Sequence, residues 1–167
     1  MHDAPIVNDR VAFKIYSCEK HLENLKQTKL IYENFQANKQ EIYQARINLE
    51  IETDCLISQM VSIIDSLLVQ ISNKLGLSIP LDQISIDRIV SELYSKTNKI
   101  DLLTELNMAR QHGRWYWSVI ELKNHSLIES FDVNTRNPDL ISFLEECFNH
   151  IRALIENVEN KNKEPLK

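Results

Sequence analysis

Glycine and proline are scarce in this sequence, with two glycines and four prolines among 167 residues. Sheet-rich folds need glycine in hairpin turns and bulges, so this scarcity favours long helices joined by few turns. It also excludes a glycine-rich phosphate-binding loop, which needs several glycines within a few positions. The length and the apolar fraction of 43% predict one domain with a self-sufficient core. We therefore expect a single all-α domain over 1–167, an antiparallel bundle of five or six helices with its core between about residues 9 and 159.

Charge and apolar runs limit what the chain can contact. The formal net charge of −5 argues against broad electrostatic binding to nucleic acid or to anionic membranes. No uninterrupted apolar run exceeds three residues and the N-terminus lacks an apolar stretch, which predicts neither a transmembrane helix nor a signal peptide. A cytoplasmic protein without membrane contact is expected.

The sequence also gives little support for a metal site or for a reactive thiol. Cys18, Cys55 and Cys147 are odd in number and far apart, which predicts buried free thiols in a reducing compartment. No His-Glu-x-x-His motif and no cysteine pair at metal-ligand spacing occurs, so we expect no metal and no cofactor. His21 is predicted to be a hydrogen-bonded interior residue, and His150 a solvated residue on the outer side of the last helix.

Apolar side chains at helical spacing divide the chain into six helices. The second is the longest, with an apolar stripe that stops at Gly76, a natural C-terminal end. Asp9 and Ser85 are placed to cap the first and third helices, and Gly113 allows a bend between the fourth and fifth. The predicted bounds are Asp9–Phe35, Lys39–Leu75, Ile86–Tyr94, Asp101–His112, Arg114–Ile128, and a last helix that begins at Asn137-Pro138 and reaches about Val158.

The second half of the second helix carries apolar residues over an arc of roughly 160°, wide enough for a central helix that touches several neighbours. The remaining arc holds Asp54, Ser58, Ser62 and Asp65. One interpretation is a solvated or closely packed face. In the other interpretation, this face meets a second subunit or lines a cleft.

The fifth helix is the most distinctive segment, because its polar side chains fall in one stripe. At helical spacing Arg114, Ser118, Glu121 and His125 share a narrow face, with Asn124 and Trp117 at its border. The residues predicted to look inward are Trp115, Tyr116, Val119, Ile120, Leu122 and Leu127. Glu121 and His125 are four residues apart, so their side chains can meet, and a carboxylate can orient an imidazole for acid–base work. The same pair is also a routine salt bridge on a helix surface.

Lys123 is the exception on this helix, since it projects from the apolar side between Tyr116 and Leu127. Its ammonium either snorkels to water or reaches a buried carboxylate such as Asp65. The candidate catalytic residues are thus His125, Asn124, Arg114 and Glu121, and the candidates for an interface or a cleft are Ser118, Lys123, Asp65 and Ser62.

Three segments and their order resemble the HEPN-type helical domains. They are His21-Leu22-Glu23 in the first helix, Ile63-Ile64-Asp65-Ser66-Leu67-Leu68 in the second, and Lys123-Asn124-His125-Ser126-Leu127-Ile128 closing the aromatic-rich fifth, followed by a final amphipathic helix. The resemblance is a diffuse pattern over most of the chain, roughly His21 to Val158. It implies a helical fold and a homodimer formed through the helices that carry the polar motif. It also implies either a metal-independent ribonuclease, often a toxin or an antiviral effector, or a non-catalytic member.

The sequence departs from the active ribonucleases of that family at one point. Those enzymes carry an arginine, usually followed by a polar residue, about six positions before the histidine, and no arginine stands in that relation to His125. Arg114 is eleven residues upstream, about 16 Å along a helix, too far to share one phosphate with His125 within the chain. Only His125, with Asn124, carries over, as a degenerate site. A symmetric dimer can bring Arg114 of one copy near His125 of the other.

Three functions are consistent with these patterns. The first is a non-catalytic HEPN-like binding or regulatory module of a bacterial stress or defence system, such as a toxin–antitoxin pair, that works as a homodimer with RNA or a protein as partner. The second is a toxin-type RNA endonuclease in which His125 is the acid–base residue and Arg114 or Lys123 stabilises the phosphate. The third is a structural interaction bundle whose groove takes a small apolar ligand or a partner helix. The missing arginine and the net acidity favour the first and the third.

Overall fold

The computed structural model describes residues 9–34, 37–96, 100–131 and 139–160. Over these residues the chain is all-α, with six α-helices, one short 3₁₀ turn and no strand. The predicted fold class is confirmed. The helices are α1 (Arg10–Tyr32), α2 (Lys39–Lys74), α3 (Ile86–Lys96), α4 (Ile100–Ala109), α5 (Trp115–His125) and α6 (Leu140–Asn160), and the 3₁₀ turn is Leu81–Gln83.

α1 and α2 form a long antiparallel pair. Lys14, near the start of α1, contacts the second half of α2, whereas His21 contacts α2 nearer its beginning. α1 starts where it was predicted to, because the Asp9 carboxylate accepts hydrogen bonds from two amides of the first turn, both at 3.0 Å. It ends at Tyr32, three residues before the predicted end, and Glu33 and Asn34 are described and not helical; Phe35 itself lies outside the described residues.

α2 is a 36-residue helix with a capping signal at each end. Asn38 and Glu41 form a reciprocal capping box at its start, with hydrogen bonds of 2.8 and 3.0 Å. Leu75 caps the other end, and Gly76 follows with a φ of +60°, a left-handed conformation that glycine adopts without a steric penalty. The predicted span Lys39–Leu75 is confirmed to within one residue.

The core centres on the broad apolar arc of α2. The arc is buried as predicted except for Val61, which is partly buried; its buried members are Leu56, Ile57, Met60, Ile63, Ile64, Leu67, Leu68 and Ile71. α6 buries every position that its periodicity indicated: Leu140, Leu144, Cys147, Phe148, Ile151, Leu154, Ile155 and Val158. Each fully buried large aliphatic side chain stabilises the fold by about 1.5–3 kcal/mol. On α1, Cys18, Leu22 and Leu25 are buried, whereas Ile31, in the last turn of the helix, is exposed.

α2 is also long and apolar enough to cross a membrane by length and composition alone. An 18-residue window within Lys39–Lys74 has a mean hydropathy of 1.6, although no apolar run is long. The three-residue limit on apolar runs is therefore not sufficient to exclude a membrane span. Half of that window is buried inside the fold, and the buried core helix of a helical protein passes the same test of length and composition.

α3 and α4 differ from their predicted bounds at their C-terminal ends. α3 begins after Ser85, whose hydroxyl accepts a hydrogen bond from the amide of Arg88 at 3.2 Å, and it runs two residues beyond its predicted end. α4 ends at Ala109 and not at His112, and a turn containing Gly113, with a φ of +76°, leads into α5.

α5 begins and ends inside its predicted bounds. It ends at His125, so Leu127 and Ile128 lie in the turn that follows and are largely exposed. The prediction that Leu127 looks inward from the helix is therefore wrong. Neither glycine nor proline marks this end; instead the Ser126 hydroxyl donates to the Lys123 carbonyl at 2.8 Å, a local bond that competes with continuation of the helix.

α6 packs beside α1 and is tied to it by ion pairs. Lys26 contacts Glu145 at 2.6 Å, and Arg152 contacts Glu19. Such exposed pairs stabilise a fold by about 1 kcal/mol at most. The predicted helix start at Asn137-Pro138 lies outside the described residues.

Candidate functional site

An open groove runs between the C-terminal half of α5, the turn that follows it and the start of α6. Its volume of about 650 Å³ is in the range of small-ligand sites. The described residues that line this groove are Ser118, Glu121, Leu122, Asn124, His125, Ile128, Phe131, Leu140 and Phe143. The structure therefore brings together four of the predicted polar residues, Ser118, Glu121, Asn124 and His125, above apolar side chains.

His125 is held by packing and not by a carboxylate. Its side chain is partly buried, and its ring centroid lies 5.8 Å from that of Phe131 with the planes tilted by 48°. Glu121 is exposed one turn earlier. Within the described part of the chain, the two side chains form neither a hydrogen bond nor an ion pair with each other. The contact that their spacing allows is therefore not made.

The turn after α5, which forms one wall of the groove, is fixed at both ends. The amides of Ile128 and Glu129 donate to the His125 carbonyl at 2.9 and 3.0 Å. At the other end, the Phe131 amide donates to the Glu50 carboxylate on α2 at 2.8 Å. The Phe131 side chain is only 3% exposed. Backbone hydrogen bonds and one buried ring thus define this wall.

Arg114, the remaining residue of the predicted stripe, belongs to a different site. It lines a second depression, of about 430 Å³, formed by α4, the start of α5 and α6. There the rings of Trp115 and His150 stack with centroids 6.3 Å apart and planes 9° from parallel. Helical spacing put Arg114 and His125 on one face, but they lie at opposite ends of α5.

His150 is the residue of this second depression that sequence reasoning missed. It was predicted to be only solvated, and its side chain is indeed about half exposed. Its stacking on Trp115 joins α6 to α5 across 35 positions of sequence. No local pattern in either helix indicates that contact.

Lys123 points away from the groove and toward α2. Its ammonium donates to the Ser58 hydroxyl at 2.7 Å. The predicted partner Asp65 is therefore wrong, since Ser58 lies seven residues earlier, about 10 Å along the helix. The sequence correctly predicted that Lys123 projects from the apolar side of α5. Its ammonium donates to the hydroxyl of a serine there.

Two lysines, one on α1 and one on α5, contact the small polar face of α2 from its two sides. Lys14 of α1 donates to the Ser62 carbonyl at 2.9 Å and to the Ser66 hydroxyl at 2.6 Å, while Lys123 reaches Ser58 from α5. We call Ser58, Ser62 and Ser66 the serine ridge. For Ser58 and Ser62 the closely packed interpretation of this face agrees with these contacts, whereas Asp54 and Asp65 are exposed and Asp54 lines a shallow depression. The sequence contains no signal that singled out Lys14.

Desolvation shifts the pKa values of two charged residues beside the serine ridge, Lys14 and Asp65. Desolvation, and then repulsion from Arg10, lower the pKa of Lys14, and attraction to Asp65 opposes both. Asp65 is exposed at the surface, but partial desolvation raises its pKa, and attraction to Lys14 opposes that shift. Asp65 is thus coupled to α1, and it does not line the groove.

His21 is hydrogen-bonded, as predicted. Its Nδ1 atom lies 2.6 Å from a carboxylate oxygen of Glu52, and Asn24 donates to the other oxygen at 3.1 Å. This cluster joins α1 to α2 and is separate from the groove.

The three cysteines are free, and two of them are buried as predicted. Burial raises the pKa of Cys18 to about 12 and that of Cys147 to about 12, so both thiols are protonated at neutral pH and poorly nucleophilic. Cys55 is only partly buried. Over the described ranges, no group of three or more His, Cys, Asp or Glu side chains is placed to hold a metal ion.

The chain matches no protein-family model, and searches against curated proteins and against solved structures give no match. The chemistry open to the groove therefore follows from its own residues. Hydroxyl, amide, carboxylate and imidazole groups stand beside apolar side chains, and the described lining contains no lysine or arginine. Such a surface can form hydrogen bonds and apolar contacts with a ligand and can attract a cation.

Proposed function

We propose that this chain is a HEPN-like helical module that binds a partner at the groove and does not cut RNA. The charge of the groove carries this proposal, because its described lining includes Glu121 and His125 but no lysine or arginine. The resemblance of its segments to HEPN-type domains supports a place in a bacterial stress or defence system, in the cytoplasm and as a homodimer.

Cleavage of RNA by a histidine needs a cation near the scissile phosphate, because negative charge develops on the phosphate oxygens in the transition state. The cations predicted for that role lie elsewhere, Arg114 in the depression at the other end of α5 and Lys123 against Ser58. Glu121 adds a negative charge that repels a phosphodiester. The groove therefore suits hydrogen bonding and apolar contact better than phosphate chemistry.

The second candidate function is the metal-independent RNA endonuclease with His125 as acid–base residue. One observation favours it: His125 lines an open groove although it is partly buried. A substrate in the groove could therefore come within hydrogen-bond reach of the imidazole, as acid–base catalysis requires. In the homodimer, Arg114 of one copy would have to supply the cation that the described groove of the other copy lacks.

Incubation of labelled RNA with the purified full chain in chelator separates the two functions. His125→Ala tests the groove and Arg114→Ala tests a cation supplied by a second copy. His112→Ala is the matched control, because His112 is an exposed histidine that contacts Trp117 outside the groove.

We expect no cleavage by the wild type or by any variant, together with a dimer in analytical ultracentrifugation. Cleavage by the wild type and by His112→Ala that is lost in His125→Ala contradicts the binding proposal and establishes the nuclease. Because the full chain is used, the assay also covers Arg136, which lies outside the described residues.

A further inference from the structure

The groove continues into exposed apolar side chains that the proposed function leaves unexplained. A shallower depression of about 390 Å³ adjoins the groove and shares Ile128 and Phe131 with it. Three large apolar residues around it face solvent, with Leu127 76% exposed, Ile128 83% and Ile51 54%. We call Ile51, Leu127 and Ile128 the apolar patch.

The exposure of this apolar patch is built into the backbone. The amides of Leu127 and Ile128 donate to carbonyls in the last turn of α5 at 3.3 and 2.9 Å, and the Phe131 amide is anchored to Glu50 on α2 at 2.8 Å. The turn cannot fold inward to bury the two side chains without breaking these bonds. Single exposed apolar residues are common, but contiguous ones rimmed by polar residues are typical of interaction sites.

Carboxylates surround the apolar patch. Glu50, Asp54 and Glu129 line the shallower depression, and Glu121 lines the groove. The described residues lining these two depressions include no lysine or arginine, and the whole chain has a formal net charge of −5. A surface that is apolar at its centre and negative around it favours a partner with apolar side chains flanked by basic ones.

We propose that the groove and the apolar patch together bind a basic amphipathic helix of another protein. This inference rests on the proposed function and names the chemistry of its partner. A helix presents apolar side chains at i, i+3, i+4 and i+7 to a groove of this kind. Its lysines and arginines, on the flanks of that stripe, meet the carboxylates of this chain.

The same charges disfavour other occupants. A second copy docked about a two-fold axis brings an identical surface, so Glu121 and Glu129 of the two chains repel each other. Nucleic acid and anionic lipid surfaces are negative as well. The homodimer of the proposed function therefore uses a surface other than the groove and the apolar patch, and not the segment from Lys123 to Ile128 that the resemblance places at the dimer interface.

Fluorescence anisotropy with a labelled helical peptide tests the proposal on the full chain. The peptide carries leucine at i, i+3, i+4 and i+7 and lysine at the other positions; the comparison ligands are the same peptide with glutamate for lysine and a labelled single-stranded RNA. The test variants are Leu127→Ser/Ile128→Ser and Glu121→Gln/Glu129→Gln. The matched controls are Leu30→Ser, which removes an exposed leucine of α1, and Glu156→Gln, which removes an exposed carboxylate of α6.

We expect the basic peptide to bind the wild type and both controls equally and to bind the Leu127→Ser/Ile128→Ser variant about tenfold more weakly. Added salt should weaken binding to the wild type, and Glu121→Gln/Glu129→Gln should lower both the affinity and this dependence on salt. All substituted positions are exposed, so unchanged thermal unfolding separates lost binding from lost folding.

Three results of the peptide titrations overturn the proposal: equal affinity of the wild type and Leu127→Ser/Ile128→Ser, equal affinity for the glutamate peptide, or no binding of the basic peptide up to about 1 mM. A dimer or an RNA complex that is lost in Leu127→Ser/Ile128→Ser also overturns it, because it identifies a second copy or RNA as the occupant. RNA cleavage that depends on His125 refutes the proposed function instead, so the two failures are distinguishable.

Discussion

The C-terminal half of α5 has two polar sides that meet different surroundings. On the side of the serine ridge, Lys123 donates to Ser58 at 2.7 Å, and Lys14 closes the same ridge from α1. On the side of the groove, no side-chain hydrogen bond holds Glu121 or Asn124 within the described part of the chain. Polar groups with internal partners stabilise the bundle, whereas exposed polar groups without them are available to a partner molecule. The two sides should therefore respond differently to substitution.

The largest effect on stability is expected from the buried ring in the groove lining. Phe131 is 3% exposed and anchors the turn after α5, so Phe131→Ala should lower the free energy of unfolding by about 3–5 kcal/mol. Urea unfolding measures this loss. Phe143→Ala is the matched control in the same groove, because Phe143 is partly solvent-exposed, and its loss should be only about 1 kcal/mol. Equal losses in the two variants would mean that Phe131 does not anchor the wall.

Lys123→Met tests the serine ridge while keeping the apolar stem of the side chain. It removes the hydrogen bond to Ser58, so we expect a loss of about 1 kcal/mol in the free energy of unfolding. A double-mutant cycle with Ser58→Ala should give a coupling energy of about 0.5–1.5 kcal/mol. Asn124→Ala, the neighbouring position on the groove side, should change stability by less than about 0.5 kcal/mol. A coupling energy of zero, or an equal loss for Asn124→Ala, would remove the distinction between the two sides.

The fold could be predicted because the same side chains determine the helices and the core. The apolar periodicity of α2 and α6 indicated both where these helices run and which residues they bury. The start of α1 and the end of α2 were predictable for a different reason, since Asp9 and Gly76 act within one turn of themselves. Local chemistry of this kind is contained in the sequence.

The candidate site was only partly predictable, because which residues share the groove depends on contacts with residues that are distant in sequence. Helical spacing placed Ser118, Glu121, Asn124 and His125 together, and they do share the groove. Arg114 has the same angular position as His125, but eleven residues make about three turns, more than this groove spans.

Lys123 and Leu127 show two further limits of sequence reasoning. The side of α5 from which Lys123 projects was predictable, whereas its partner on α2 depends on how the two helices are positioned along each other. Leu127 was assigned to the inner face by extending the helical spacing past His125, where the helix ends without a glycine or a proline. The exposed apolar patch therefore could not be found before the structure was known.

The smallest effect is expected for the pH dependence of the free energy of unfolding of Asp65→Asn. It tests whether close packing or an ion pair holds the ridge side. Partial burial raises the pKa of Asp65 above its ordinary value of 3.8, and attraction to Lys14 opposes that rise. The folded state thus keeps this proton to a higher pH than the unfolded state does. The stability that the proton contributes is complete below about pH 4 and is lost as the pH rises through the pKa of the folded state.

Asparagine cannot ionise, so Asp65→Asn should gain stability relative to the wild type as the pH rises from about 4 to 7, by less than Lys123→Met loses. Urea unfolding at a series of pH values measures this gain. Ser62→Ala is the matched control on the serine ridge, and its effect should not vary with pH because serine does not titrate in this range. If Asp65→Asn instead loses stability relative to the wild type as the pH rises, attraction between Asp65 and Lys14 outweighs burial. The ridge side would then be held by an ion pair between α1 and α2 and not mainly by close packing.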